Sequence, residues 1–289
     1  MTERSAHLAR LGPLERLIAG PLELGRDWLL RFVALQGFDR AVALAGRAFT
    51  ALVPLLIVYS SVTSKATGRD FADQLVRIFD LKGSAAASMH QAFGGASDAG
   101  SQVSALGWGL LLVSALSFTR ALQRLYQLCF DQPPLGLRAA KWGLIWLAIV
   151  IATVTVRPLV LRGLHDVPLL ACSLAISAAL WLATPYVLLA RRIAWQRLVA
   201  TALLTAVGMT GLELASAIWM PHTVASSAAQ FGLIGVAFAL LSWLVGAGMV
   251  LVVAAAGGAA IDDRLRRDRV RETATASPHP ELTGHHPAG

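Results

Sequence analysis

The sequence predicts an all-α fold: a polytopic membrane bundle of six transmembrane helices with amphipathic interfacial helices. Three observations lead there. Six long apolar stretches run over 42–62, 103–118, 142–161, 167–190, 198–219 and 231–256. A hydrocarbon core about 30 Å thick takes about 20 residues of helix to cross. Charged residues make up only 15% of the chain, against about 25% in a soluble domain. The apolar runs are also continuous rather than alternating, which argues against a transmembrane β-barrel. In lipid each backbone amide must be satisfied within the protein, and a helix does so within one segment.

Charge placement sets the expected topology. The net charge of +8 first suggests nucleic acid. Eighteen of the 25 Lys and Arg, however, fall on one side if the six spans alternate. They cluster before residue 41, at Arg120, Arg124, Arg138 and Lys141, at Arg191, Arg192 and Arg197, and after residue 262. Basic loops stay in the cytoplasm, so both termini are expected there. Pairing with anionic lipid headgroups then accounts for the charge. Membrane lipids are the expected partners at the cytoplasmic face, nucleic acid is not, and self-association as a homo-oligomer is left open.

Domain boundaries follow. Residues 1–41 form a cytoplasmic amphipathic segment, 42–261 the six-helix membrane domain and 262–289 a basic, disordered cytoplasmic tail. No cleavable signal is visible before residue 42, so the first span is expected to act as its own signal. Leu24, Trp28, Leu29, Phe32 and Leu35 recur at helical spacing. A helix there either lies in the inner interface or packs under the bundle. The external segment 63–101 carries Phe71, Leu75, Ile78 and Phe79 on one helical face, which predicts a helical cap over the outer mouth. The second span continues as an amphipathic extension until Pro133-Pro134. In the last span Ser242, Gly246, Ala254 and Gly258 recur at four-residue steps broken by Val250. Such small residues let helices approach closely.

Four stretches together resemble the YihY/BrkB family of bacterial inner-membrane proteins, some of which were once labelled ribonuclease BN. They are DRAVALAGRAFTALVPLLIV (39–58), GWGLLLVSALSFTRALQRLYQLCF (107–130), the run 208–219 with Glu213 at the family's intramembrane acid position, and GLIGVAFALLSWLVGAGMVLVVAAAGGAA (232–260). With the six-span spacing the resemblance covers about residues 38–262. It departs from the usual pattern at Gly46-Arg47 and just before Ile261. The resemblance implies a six-helix protein of the bacterial plasma membrane, one branch of which has been proposed to export lipid.

Several residues could carry function. Glu213 is an acid inside a span, where a charge costs about 2.5 kcal/mol or more. It is expected to face the bundle interior, to relay a proton, to bind a cation or to bond a neighbouring helix. Arg47 lies near the inner end of the first span, where it either serves function or snorkels to the interface; a direct pair with Glu213 is expected to be out of reach. Pro54 frees the carbonyl of Thr50, creating a notch or a kink. Ser114, Ser117 and Thr119 with Arg120 and Arg124 form a polar track suited to a phosphate or lipid headgroup, or to plain interfacial anchoring.

No catalytic, metal-binding or cofactor-binding residue is expected. The seven histidines are scattered. No HExxH, paired-cysteine, P-loop or G-x-S-x-G pattern occurs. Cys129 and Cys172 are expected to stay apart as free thiols. Transport of a lipid or another amphipathic or anionic molecule is the leading expectation, with a non-transporting envelope scaffold as the alternative. Enzymatic activity is not expected.

Overall fold

The computed structural model describes residues 13–67, 101–162 and 166–276 as continuous chain, plus Val76, Gly83, Ala86, Ala87, His90 and Gln91. The described residues hold helices and no strand. Six helices follow in order: α1 (Pro13–Ala34), α2 (Gly37–Thr67), α3 (Ser101–Cys129), α4 (Arg138–Leu161), α5 (Asp166–Leu188) and α6 (Trp195–Ala276). The six apolar stretches lie within these helices except for residues 189–190, which form the turn after α5, and the last two stretches are both in α6. Three runs are long and apolar enough to cross a membrane by length and composition: Arg138–Arg157, Trp195–Gly232 and Ile234–Val270. The helical cap expected over 63–101 lies largely outside the described residues.

The helices close a ring. α2 packs on α3, α3 on α4, α4 on α5, α5 on α6, and α6 back on α2, with α1 laid against α6. Turns with residues of positive φ make the reversals: Gln36 between α1 and α2, Asp131 after α3, Ala190 and Arg191 before α6. The last two turns carry the bonds that close helix C-termini. Gln132 N–H donates to the Gln127 carbonyl at 2.8 Å, and Arg191 N–H to that of Tyr186 at 2.9 Å.

α6 is two arms. Gly232 adopts φ 58°, ψ −136°, a conformation reserved in practice for residues without a Cβ. The chain folds back there, and the Ser227 carbonyl occupies the place a Cβ on Gly235 would take. From that point the arms zip antiparallel. Trp243 Nε1 donates to Ser216 Oγ at 2.7 Å. Leu212 meets Gly246, Val250 meets Gly208, and Thr201 meets Gly258. Arg197 closes the ladder on Asp262. The paired residues lie nearly equidistant from the turn. The small-residue stripe expected on the second arm is therefore real packing. Its interruption at Val250 is matched by Gly208 on the first arm, a knob set into a hole.

The main core gathers at the arginine-rich end. Leu122, Leu125 and Tyr126 of α3 are buried together with Leu188, Leu189, Leu198 and Val252. A smaller cluster of Met220, Val224, Val236 and Ala239 lies near the α6 turn, where Val76 and Ala86 reach it. Trp146 is buried, donating to Thr184 Oγ1 at 3.2 Å. Its indole therefore packs between α4 and α5.

α1 packs against the bundle through one face. Trp28, Phe32 and Leu35 pack inward, and Trp28 Nε1 donates to the Val253 carbonyl at 3.0 Å. Leu29, Leu30 and Val33 remain exposed on the other face. The tail differs from expectation: α6 stays helical through Ala276, where the composition of 262–289 predicts disorder. Three ion pairs explain it: Arg197–Asp262, Arg31–Asp263 and Arg267–Asp27. They tie the first turns beyond Ile261 to the bundle and to α1. Residues 277–289 lie outside the described residues.

Candidate functional site

The polar residues of α3 fall on one stripe. Val113, Ser117, Arg120 and Arg124 recur at steps of four, three and four, the spacing of one helical face. All four are exposed. The opposite face, with Thr119, Leu122, Gln123 and Tyr126, is buried. That burial fixes the rotation of α3 and therefore where its arginines point. Thr119 Oγ1 donates back to the Ala115 and Leu116 carbonyls at 3.0 Å, so its hydroxyl is satisfied inside the helix. Gln123 Nε2 donates to the Ala139 carbonyl at 3.0 Å, tying α3 to the start of α4.

Antiparallel packing on α2 completes the site. Arg40, Leu44 and Arg47 form the facing stripe of α2. Arg47 meets Val113, Leu116, Ser117, Arg120 and Arg124 around a cavity of about 440 Å³. A second cavity of about 130 Å³ is lined by Arg40, Ala43, Leu44, Arg47, Ala121, Arg124 and Leu125. Arg47 and Arg124 line both. Neither lining includes an acid, and none of the ion pairs among the described residues involves Arg47, Arg120 or Arg124. Arg40 donates from Nε to the Leu35 carbonyl at 2.5 Å, which pins it beside the α1–α2 turn.

A guanidinium offers a planar fork matched to two phosphate or carboxylate oxygens. Several of them, without counter-charge and against low-dielectric helix walls, concentrate positive potential and draw anions. Ser117 can donate one further hydrogen bond. The mouth is apolar at Val113 and Leu116. The arrangement suits a molecule with an anionic head and an apolar body.

The sequence candidates divide accordingly. Ser117, Arg120 and Arg124 share a cavity, and Arg47 joins them from α2. Pro54 is buried within α2, and the helix continues past it. Thr50 is exposed, its hydroxyl donating to the Arg47 carbonyl at 2.9 Å, and it lines neither cavity. Glu213 departs from expectation. It is exposed on the first arm of α6, not turned to the interior. Gly208, Leu212 and Ser216 hold the seam, and one residue on a helix turns about 100°, which swings Glu213 off it. The ion pairs among the described residues include none between Glu213 and Arg47.

Sequence reasoning missed Arg40 as a site residue and the Arg197–Asp262 pair entirely. The only available signal for the pair was their symmetric placement about the last hairpin. Elsewhere, Arg157 donates to Ser173 Oγ at 2.7 Å on an exposed surface. Cys129 and Cys172 are free. Burial pushes the Cys129 thiol up to about 12 and raises the Tyr126 phenol well above its usual range, so both stay neutral. No group of three His, Cys, Asp or Glu able to hold a metal occurs among the described residues.

The model of the Virulence factor BrkB family matches residues 29–279. The chain belongs to the BrkB family. No curated protein and no solved structure matches it. The BrkB match spans α2 to α6 and the last residues of α1, and so includes the whole arginine cleft. Family membership and the long apolar helices together fit an integral membrane protein.

Proposed function

We propose that this BrkB-family protein is a six-span protein of the bacterial inner membrane, with both termini cytoplasmic, that binds and translocates an anionic amphiphile such as a lipid. The carrying observation is the α2–α3 cleft, where Arg47, Arg120 and Arg124 converge without an acid beside an apolar mouth. Cytoplasmic placement follows from the basic loops, which puts the cleft at the inner headgroup level. A phosphate head seated on the guanidiniums would leave its chains along Val113 and Leu116, toward lipid.

Reconstitution in liposomes tests this reading. Movement of a labelled anionic lipid between leaflets is expected with wild type and reduced severalfold by Arg120→Gln/Arg124→Gln. Rates equal to those of protein-free liposomes would contradict translocation.

A non-transporting scaffold has one observation in its favour. The core around Tyr126, Leu188 and Val252 is closed by large side chains with almost no exposure, leaving the cleft lateral rather than axial. It predicts lipid retention without lipid movement, which the same liposomes distinguish.

A further inference from the structure

The cleft has two compartments, and their shape constrains what fills them. Arg47 and Arg124 stand between a cavity of about 440 Å³ and one of about 130 Å³, lining both. Each compartment also has an arginine of its own: Arg120 in the larger and Arg40 in the smaller. The smaller is otherwise walled by Ala43, Leu44, Ala121 and Leu125. It has space for a compact group, and every charge presented to it is positive.

We propose that the cleft recognises two phosphate groups carried on one ligand, one in each compartment, with Arg47 and Arg124 bridging them. This deepens the anion-binding reading above and rests on it. Four guanidiniums grouped without an acid repel one another at short range. A single phosphodiester neutralises one of the four charges, whereas two phosphates neutralise at least two. A guanidinium has five N–H donors, so one arginine can serve oxygens on both sides. The smaller compartment, at about 130 Å³, has space for a phosphate, and its arginines make it a poor place for an acyl chain. The two phosphates can come from a lipid headgroup or from a soluble diphosphate.

The test compares cardiolipin, which carries two phosphates, with phosphatidylglycerol, which carries one. Full-length protein is placed in phosphatidylcholine nanodiscs doped with either lipid at equal phosphate content, and retained lipid is counted by native mass spectrometry after extraction. Wild type is expected to retain cardiolipin about tenfold over phosphatidylglycerol, the scale of one added charge-assisted phosphate contact. Arg40→Gln and Ala43→Leu are each expected to bring the retention ratio of cardiolipin to phosphatidylglycerol down to about one. The first removes the smaller compartment's own charge and the second fills its volume. Using both matters because Arg40 also braces the α1–α2 turn. Soluble pyrophosphate should displace cardiolipin at concentrations where orthophosphate does not. Equal retention of the two lipids by wild type overturns the two-phosphate proposal and leaves the single-anion reading standing. So does discrimination that survives both substitutions, or pyrophosphate acting no better than orthophosphate, which would assign the preference to cardiolipin's extra chains. Retention of neither lipid overturns the anion-binding reading itself.

Discussion

The arginine-rich end of the bundle and the half nearer the α6 turn are built by different rules. At the first, side chains as large as Tyr126, Leu122 and Leu188 are almost wholly buried, and three ion pairs stitch α1, α6 and its extension together. Toward the other end Val207, Leu214, Ile218, Phe231, Ile234 and Phe238 stand exposed, and the buried cluster is the smaller one of Met220, Val224, Val236 and Ala239. A difference in solvent, water at one end and lipid at the other, would account for the contrast. A leucine removed from water stabilises by about 2 kcal/mol, so an end that meets water folds around a large core. In lipid that drive is absent, and helices associate through close packing and hydrogen bonds. The contrast also places the cleft. It sits where the well-packed end, which fixes the arginines, borders the part whose apolar surface is open.

The largest expected effect tests the ion-pair stitching. Asp262 has 6% of its side chain exposed, against 31% for Arg197. Arg197→Ala would leave a nearly buried carboxylate without its partner. A loss of about 3 kcal/mol is expected, measured by chemical unfolding in detergent. The double replacement Arg197→Met/Asp262→Leu should recover most of it, and a double variant as weak as the single would break the explanation.

Next comes the glycine seam. A Cβ on Gly248 would lie 2.6 Å from the Ala41 backbone carbonyl, whereas one on Gly246 meets only Leu212 at 3.4 Å. Gly248→Ala is expected to cost about 2 kcal/mol by overpacking, and Gly246→Ala about 0.5 kcal/mol or less. Equal melting temperatures for the two variants would show that α2 and α6 do not meet where described.

A smaller effect follows from pH. Burial raises the Cys129 thiol from its ordinary 9 to about 12 and raises Tyr126 in the same direction. The unfolded chain therefore loses these protons first. Their contribution to stability is whole below pH 9, falls as pH climbs beyond that, and is gone above the folded values. Melting curves from pH 8 to 11 should decline, less steeply in Cys129→Ser. Maleimide should leave Cys129 unlabelled at pH 8 until the protein is denatured.

The least effect is expected at Tyr126, whose buried hydroxyl has no partner. Tyr126→Phe should change stability by about 0.5 kcal/mol or less, or raise it, because a buried polar group without a partner costs free energy. A large loss would mean that the hydroxyl is bonded after all.

These particulars show what a linear sequence can carry. Membrane character, the helices and the stripe Ser117–Arg120–Arg124 are local properties, since helical periodicity converts spacing into a face. The partnership of Arg47 with that stripe depends on the antiparallel register of α2 on α3, which no local pattern encodes. Glu213 illustrates the same boundary. Its cost in lipid is a property of the residue, but the direction it faces is set by which neighbours hold the α6 seam. The helix beyond Ile261 was illegible because its stability comes from Arg197, Arg31 and Asp27, distant along the chain, while the composition of 262–289 resembles a solvated tail.

Photo-crosslinking addresses the central claim, that the arginine cleft between α2 and α3 seats an anionic head, most directly. Nanodiscs containing a photoactivatable phosphatidylglycerol would be irradiated and the labelled peptides mapped. Labels concentrated around Val113 and Leu116, and largely lost in Arg47→Gln/Arg120→Gln/Arg124→Gln, are the expected result. Labels spread evenly over the exposed faces of α4 and α6, and unchanged by the triple substitution, would contradict it.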